Sequence, residues 1–190
     1  TIDAVSVSST KIRKAIEDGE IEIANQYLKD EYLITGEVVS GAQLGRTIGY
    51  PTANLGMLDR HKIVPKNGVY FVKAIIENQL FYGMLNKGIR PTVDNDEHAK
   101  IEVHLFDFKE DLYGKQIEVR FLKRIRDERK FDSTSDLQKQ LQDDEIKSES
   151  LFFLGYYNRY HNDEEAKKEA LKLIKQKINK GYEAYNYEYS

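Results

Sequence analysis

Ile101-Glu102-Val103-His104-Leu105 alternates apolar and polar side chains in period two, the pattern of a half-buried β-strand. Successive strand side chains point to opposite faces, so Ile101, Val103 and Leu105 share one face while Glu102 and His104 share the other. The same texture extends outward from about Tyr32 to about Arg126, with turn residues between the runs. Strands are expected near Tyr32–Ser40, Val69–Glu77, Leu80–Asn86, Lys100–Phe106 and Gln116–Ile125. Asn78 tolerates the left-handed conformation that a tight turn between the second and third strands requires. Short antiparallel strands with glycine-bearing connections predict a mainly β protein built on a small closed barrel, because closure removes unpaired edges.

Helical patterns flank this region. Ser8-Ser9-Thr10 offers an N-cap for a helix from about Lys11 to Asp18, stopped by Gly19. A second short helix, about Glu20 to Leu28, is expected to group Ile23, Tyr27 and Leu28 on one face. Beyond the strands, Ser133-Thr134-Ser135-Asp136 reads as a capping-box-like start of a helix whose Leu137 and Leu141 face the barrel. An amphipathic helix is expected from about Glu164 to Asn179, before a tyrosine-rich end. The expected organisation is a helical segment over residues 1–30, a barrel domain with its helix over 31–160, and a helical extension over 161–190.

The chain has 190 residues, 40% hydrophobic and 32% charged, which suits one globular domain with appendages. A net charge of -3 argues against nucleic acid as the main partner, which needs a basic face. With no cysteine, disulfides and thiolate metal sites are excluded, and a cytoplasmic setting is expected. No apolar run approaches the ~20 residues that cross a bilayer, and no charged-then-apolar leader opens the chain, so neither membrane nor secretion is expected. The four histidines show no metal-ligand spacing, which argues against zinc. Oligomeric state is not legible.

Two motifs carry chemistry. Gly45-Arg46-Thr47-Ile48-Gly49-Tyr50-Pro51-Thr52-Ala53-Asn54 reads as a flexible, basic, glycine-punctuated loop that closes on a Pro-Thr-Ala-Asn turn. With Gly41 it resembles a P-loop only superficially, being one residue short with Arg in place of Lys. About fifty residues later, Glu102 is a lone carboxylate on the polar face of its strand, and His104 beside it reads as structural.

In this order the two motifs resemble the riboflavin kinase module of bacterial bifunctional FAD synthetases. Asn86-Lys87-Gly88-Ile89-Arg90-Pro91-Thr92, Asp107-Phe108-Lys109-Glu110-Asp111-Leu112-Tyr113-Gly114 and Arg126-Asp127-Glu128-Arg129-Lys130-Phe131 agree, so the resemblance runs from about Tyr32 to Phe153. It implies a Greek-key barrel and ATP-dependent phosphorylation of riboflavin to FMN, with ADP as co-product and Mg²⁺ as cofactor. It further implies that Gly41, Gly45, Arg46, Thr47, Gly49 and Asn86 attend the nucleotide phosphates, and that Glu102 accepts the proton of the ribityl 5′-hydroxyl. Thr52 and Asn54 would ligate Mg²⁺, an ion that prefers hard oxygen donors. Arg126, Glu128 and Phe131 would close over the flavin, and Asn86–Thr92 would form a loop near the ligands. Val7-Ser8-Ser9-Thr10-Lys11-Ile12-Arg13 is similar to the end of the FMN adenylyltransferase module, although that module's His-x-Gly-His motif does not occur. FMN rather than FAD is therefore the expected product. Two other readings use the same residues: a flavin- or nucleotide-binding regulator without turnover, and an interaction module that docks through the terminal helices.

Overall fold

The computed structural model describes residues 8–41, 44–57, 59, 61–90 and 98–160. Its elements run α1 (Ser9–Asp18), α2 (Ile21–Leu28), β1 (Leu33–Val39), α3 (Leu44–Thr47), β2 (Ala53–Met57), β3 (Gly68–Ile76), β4 (Gln79–Arg90), β5 (His98–Leu105), β6 (Gln116–Arg126) and α4 (Thr134–Tyr160). The strands close into a barrel in the order β1-β2-β5-β4-β3-β6, every pair antiparallel. β3, β4 and β5 follow one another as neighbours, and β6 returns to lie beside β3, which is a Greek key. The chain comprises two compact units, Thr1–Gln138 and Lys139–Ser190.

The barrel interior is the alternating apolar set. Ile34, Val38, Leu55, Tyr70, Val72, Leu85, Ile101, Val103, Leu105, Ile117, Val119 and Phe121 are buried in one cluster. Burial of such side chains is worth about 1.5–3 kcal/mol each. At the centre, Tyr70 and Phe121 meet edge-on with ring centroids 5.2 Å apart. The β3–β4 hairpin turns on Glu77 (φ 48°) and Asn78 (φ 66°), both left-handed, as a two-residue connection between twisted strands demands.

The two N-terminal helices belong to this core, since Ala15, Ile16, Ile21 and Ala24 join the same cluster. Ser8 caps α1 through Lys11 N–H, and Gly19 ends it in a left-handed conformation (φ 79°). Asn25 of α2 donates from Nδ2 to the Phe121 carbonyl and accepts from Tyr32 N–H, both at 2.8 Å, fixing α2 to β6 and to the start of β1. The packed side of α2 is Ile21 and Ala24, not the expected Ile23, Tyr27 and Leu28. Ile23 and Leu28 are exposed, because eight residues make too short a stripe for periodicity to choose its face.

Further corrections concern the first motif. Ala53–Met57 is a sixth strand, not the end of a turn, and pairs with β1 on one side and β5 on the other. Leu44–Thr47 forms one helical turn within the expected flexible loop, closed by Tyr50 N–H to the Gly45 carbonyl at 2.8 Å. Asn86–Arg90 continues strand β4 rather than forming a loop, while Pro91 and Thr92 lie outside the described residues. The expected helix over Glu164–Asn179 also lies outside them. The start of α4 follows expectation: Ser133 Oγ accepts from Asp136 N–H at 3.1 Å and donates to Asp136 Oδ2 at 2.7 Å.

Candidate active site

Register brings the candidate residues into one line. Asn54 of β2 stands opposite Glu102 of β5, and Glu102 stands opposite Asn86 of β4. Directly opposed residues on antiparallel strands have Cα atoms about 4.5–5.5 Å apart and side chains on the same face. Ile101, Val103, Leu85 and Leu55, which flank these three, point into the core. Asn54, Glu102 and Asn86 therefore form a polar row on the barrel's outer wall. The row continues through Val69 of β3 to Arg126 of β6.

Glu102 carries an ion pair the sequence reading did not foresee. Lys100 Nζ lies 2.9 Å from Glu102 Oε2, with the two side chains 36% and 21% exposed. Two residues apart on β5, they share the outer face.

The glycine motif backs onto Asn54. A β-carbon on Gly41 would lie 1.8 Å from Asn54 Nδ2 and 2.4 Å from its Cγ, so the amide rests on the Gly41 backbone. A β-carbon on Gly45 would lie 2.0 Å from the Tyr50 carbonyl and 3.5 Å from Thr52 Cγ2, which places the helical turn against the approach to β2. That approach is clamped from below. A carbonyl can only accept, so His104 Nδ1 donates to Pro51 O at 2.8 Å, and its ring lies 5.1 Å from that of Tyr50. His104 is thus a structural residue that holds the Pro51-Thr52 step beside the row. Gln138 Nε2 donates to the Ile48 carbonyl at 3.3 Å, tying the turn to the start of α4. Arg46, Thr47 and Gly49 are exposed.

Arg126 and its followers approach from the other end. The residue 127–133 segment folds back over β4: a β-carbon on Gly88 would lie 2.1 Å from Glu128 Oε1. Gly88 is thus where this acid seats, two residues along the ladder from the Asn86–Glu102 pair. Phe131 is flanked by Arg126 and Arg129, whose guanidinium carbons lie 5.8 and 4.7 Å from the ring centroid. Arg126 also donates to the Asp127 carbonyl at 2.9 Å. A register shift in the β3–β6 ladder puts Arg124 opposite Tyr70 and Arg126 opposite Val69. Arg124 Nη2 donates to the Asn67 carbonyl and to Asp127 Oδ1, both at 2.7 Å. The hydrogen bond and charge of Arg124 hold the Asp127 carboxyl below its ordinary range. The first residue of the segment is therefore anchored, while Glu128 and Phe131 extend beyond the anchor.

The structure thus brings Asn54, Glu102 and Asn86 directly together, with Gly41, Gly45 and Thr52 behind Asn54 and Glu128 beside the row. Arg126 stands three strands from Glu102, with β4 and β3 between them. Among the described residues, no group of three His, Cys, Asp or Glu side chains is placed to hold a metal ion. The side-chain oxygen donors proposed for an ion are the Asn54 amide, opposite Glu102, and the Thr52 hydroxyl, two residues earlier in the chain. They are neutral and hard, and suit an ion that takes most of its countercharge from a phosphorylated ligand.

Comparison with known proteins places the chain. The flavokinase family model, riboflavin kinase, matches residues 28–152. A Bacillus subtilis bifunctional riboflavin kinase/FMN adenylyltransferase is 44% identical over 140 residues, covering 73% of this chain and 44% of that protein. The enzyme of the same description from Haemophilus influenzae is 41% identical over 153 residues, covering 80% of this chain and 48% of that protein. A crystal structure of a Streptococcus pneumoniae protein, described as a macrolide-efflux protein, superimposes with a TM-score of 0.72 at 46% identity. It covers 75% of this chain and 46% of that one. The chain spans about half the length of the curated relatives it matches. It belongs to the riboflavin kinase family. No helix among the described residues is long and apolar enough to cross a membrane.

Proposed function

We propose that this chain transfers the γ-phosphoryl group of ATP to the ribityl 5′-hydroxyl of riboflavin, releasing ADP and FMN. The observation that carries the reading is the outer-wall row Asn54–Glu102–Asn86, which sets a carboxylate between two amides and beside the glycine turn. Glu102 accepts a hydrogen bond from the 5′-hydroxyl and takes its proton as the oxygen attacks phosphorus and the bond to the β-phosphate oxygen breaks. General-base assistance of this kind is worth about 10²–10⁴-fold. In phosphoryl transfer most of the rest is positioning and charge stabilisation.

Thr52 and Asn54 would hold Mg²⁺, which would supply countercharge to the nucleotide phosphates. Gly41, Gly45 and Gly49 let backbone N–H groups approach phosphate oxygens, and exposed Arg46 adds positive charge. Asn86 donates from its amide to the nucleotide side of the row. The segment Arg126–Phe131 covers the flavin. Closure of the Gly45–Gly49 loop over the phosphates excludes water, the competing phosphoryl acceptor.

The test is turnover. Purified chain incubated with riboflavin, ATP and Mg²⁺ should yield FMN and ADP in equal amounts by chromatography. Binding of riboflavin or ATP without FMN would support the silent regulator instead. With FMN, ATP and Mg²⁺ the chain should form no FAD.

A further inference from the structure

We propose that Lys100 is a positioning residue for the catalytic carboxylate: it holds Oε2 of Glu102 and so leaves Oε1 aimed at the substrate hydroxyl. The inference rests on the kinase reading of Glu102 and adds a residue that reading does not use.

Three observations meet at this lysine. Its ammonium lies 2.9 Å from Oε2 of Glu102, and among the described residues Oε1 has no partner. The pair is built by the strand itself, since residues 100 and 102 of β5 necessarily share the outer face. Across the ladder Lys100 faces Gly88, which has no side chain, and the Glu128 carboxylate occupies the place a β-carbon there would take. Lys100 therefore lies in a lane bounded by a bare backbone and a second acid, and the described structure pairs it with Glu102.

The pair is partly exposed, and exposed ion pairs add little to stability. Its value is orientation. A free glutamate on a strand samples several rotamers, while one with an oxygen held by a lysine on the same strand samples few. Proton transfer needs one lone pair directed at the hydroxyl, so the held oxygen and the offered oxygen divide the work. The hydroxyl proton goes to Oε1, and the electron pair it leaves forms the new bond to phosphorus as the bond from phosphorus to the β-phosphate oxygen breaks and ADP leaves with that pair.

The test combines kinetics with structure. In Lys100→Met, kcat for FMN formation should fall about tenfold, while KM for riboflavin and for MgATP stays within about twofold. Lys100→Arg should recover most of the loss. In a Glu102→Gln background, Lys100→Met should cost nothing further, because the carboxylate it orients is gone. A rise in KM for MgATP with kcat unchanged would make Lys100 a nucleotide contact and overturn the proposal, as would additive losses in the double variant. Crystal structures of wild type and Lys100→Met give an arm independent of turnover. The Glu102 carboxylate should leave its position in the variant, and one that stays in place overturns the proposal. A wild type that makes no FMN would remove the kinase reading, while the crystal comparison would still decide whether Lys100 holds Glu102.

Discussion

Asn54 rests its side-chain amide on the α-carbon of Gly41, leaving no room for even one methyl group between them. Gly41 has no left-handed φ, so alanine fits its backbone and the conflict is purely with Asn54. Gly41→Ala should therefore push the amide out of the row. MgATP KM should rise about tenfold or more, with a stability loss of about 1–3 kcal/mol from overpacking. Steady-state kinetics with thermal melts would show this, and an unchanged KM would mean Asn54 is not needed where it lies.

Glu102→Gln keeps shape and removes the acceptor. The fold should persist, because the side chain lies outside the barrel core. Turnover should fall by about 10²-fold or more with riboflavin affinity retained. Near wild-type kcat would remove the general base from the mechanism.

Thr52→Val and Asn54→Ala each delete one oxygen from a site with few protein ligands. Each should weaken MgATP far more than metal-free ATP. Calorimetric titration with and without Mg²⁺ separates the cases, and equal losses in both would make these residues shapers of the loop.

Tyr32 sets an alkaline limit. Burial, reinforced by the nearby Asp59 carboxylate, pushes its phenol up to about 12, and its hydroxyl donates to the Ile63 carbonyl at 2.6 Å. The folded state thus keeps a proton that the unfolded chain releases near its ordinary value of about 10. This contribution is intact below pH about 10 and is lost as pH rises toward 12. Tyr32→Phe should lose about 1 kcal/mol at neutral pH through the missing hydrogen bond and show a shallower decline above pH about 10. Urea unfolding at several pH values measures both effects, and parallel profiles for the two proteins would rule out Tyr32.

The barrel was legible because its inward positions are strongly apolar and strictly alternate, as in Ile101, Val103 and Leu105. β2 is not legible in the sequence, for a physical reason. Ala53-Asn54-Leu55-Gly56-Met57 has little β-propensity, and its extended state comes from partners on both sides. The short turn Leu44–Thr47, interrupted by a glycine, gives no periodic signal of its own. Glu102, Asn54 and Asn86 were found through motif resemblance, but their alignment depends on register between strands distant in sequence, which a single chain does not display. Lys100 was available to local reasoning, since opposite charges two apart on a strand face the same way. The Gly88–Glu128 seat could not be anticipated, since it depends on where the residue 127–133 segment folds back.

The barrel's seams are unequal, and this has a consequence for how the protein fails. β3 and β4 are registered along their length from Gly68–Lys87 to Ile76–Gln79, whereas β2 and β5 are joined, among the described residues, only at Ala53–Val103 and Asn54–Glu102. The narrowest seam is the one that unites a proposed magnesium ligand with the proposed base. Local opening is easiest where few backbone bonds must break. Warming should therefore silence the proposed kinase activity while most of the sheet is intact, so that any loss of FMN synthesis precedes the cooperative melt. Heat tolerance of the fold and heat tolerance of the catalyst would then be separate traits, and only stitching β2 to β5 would raise the second.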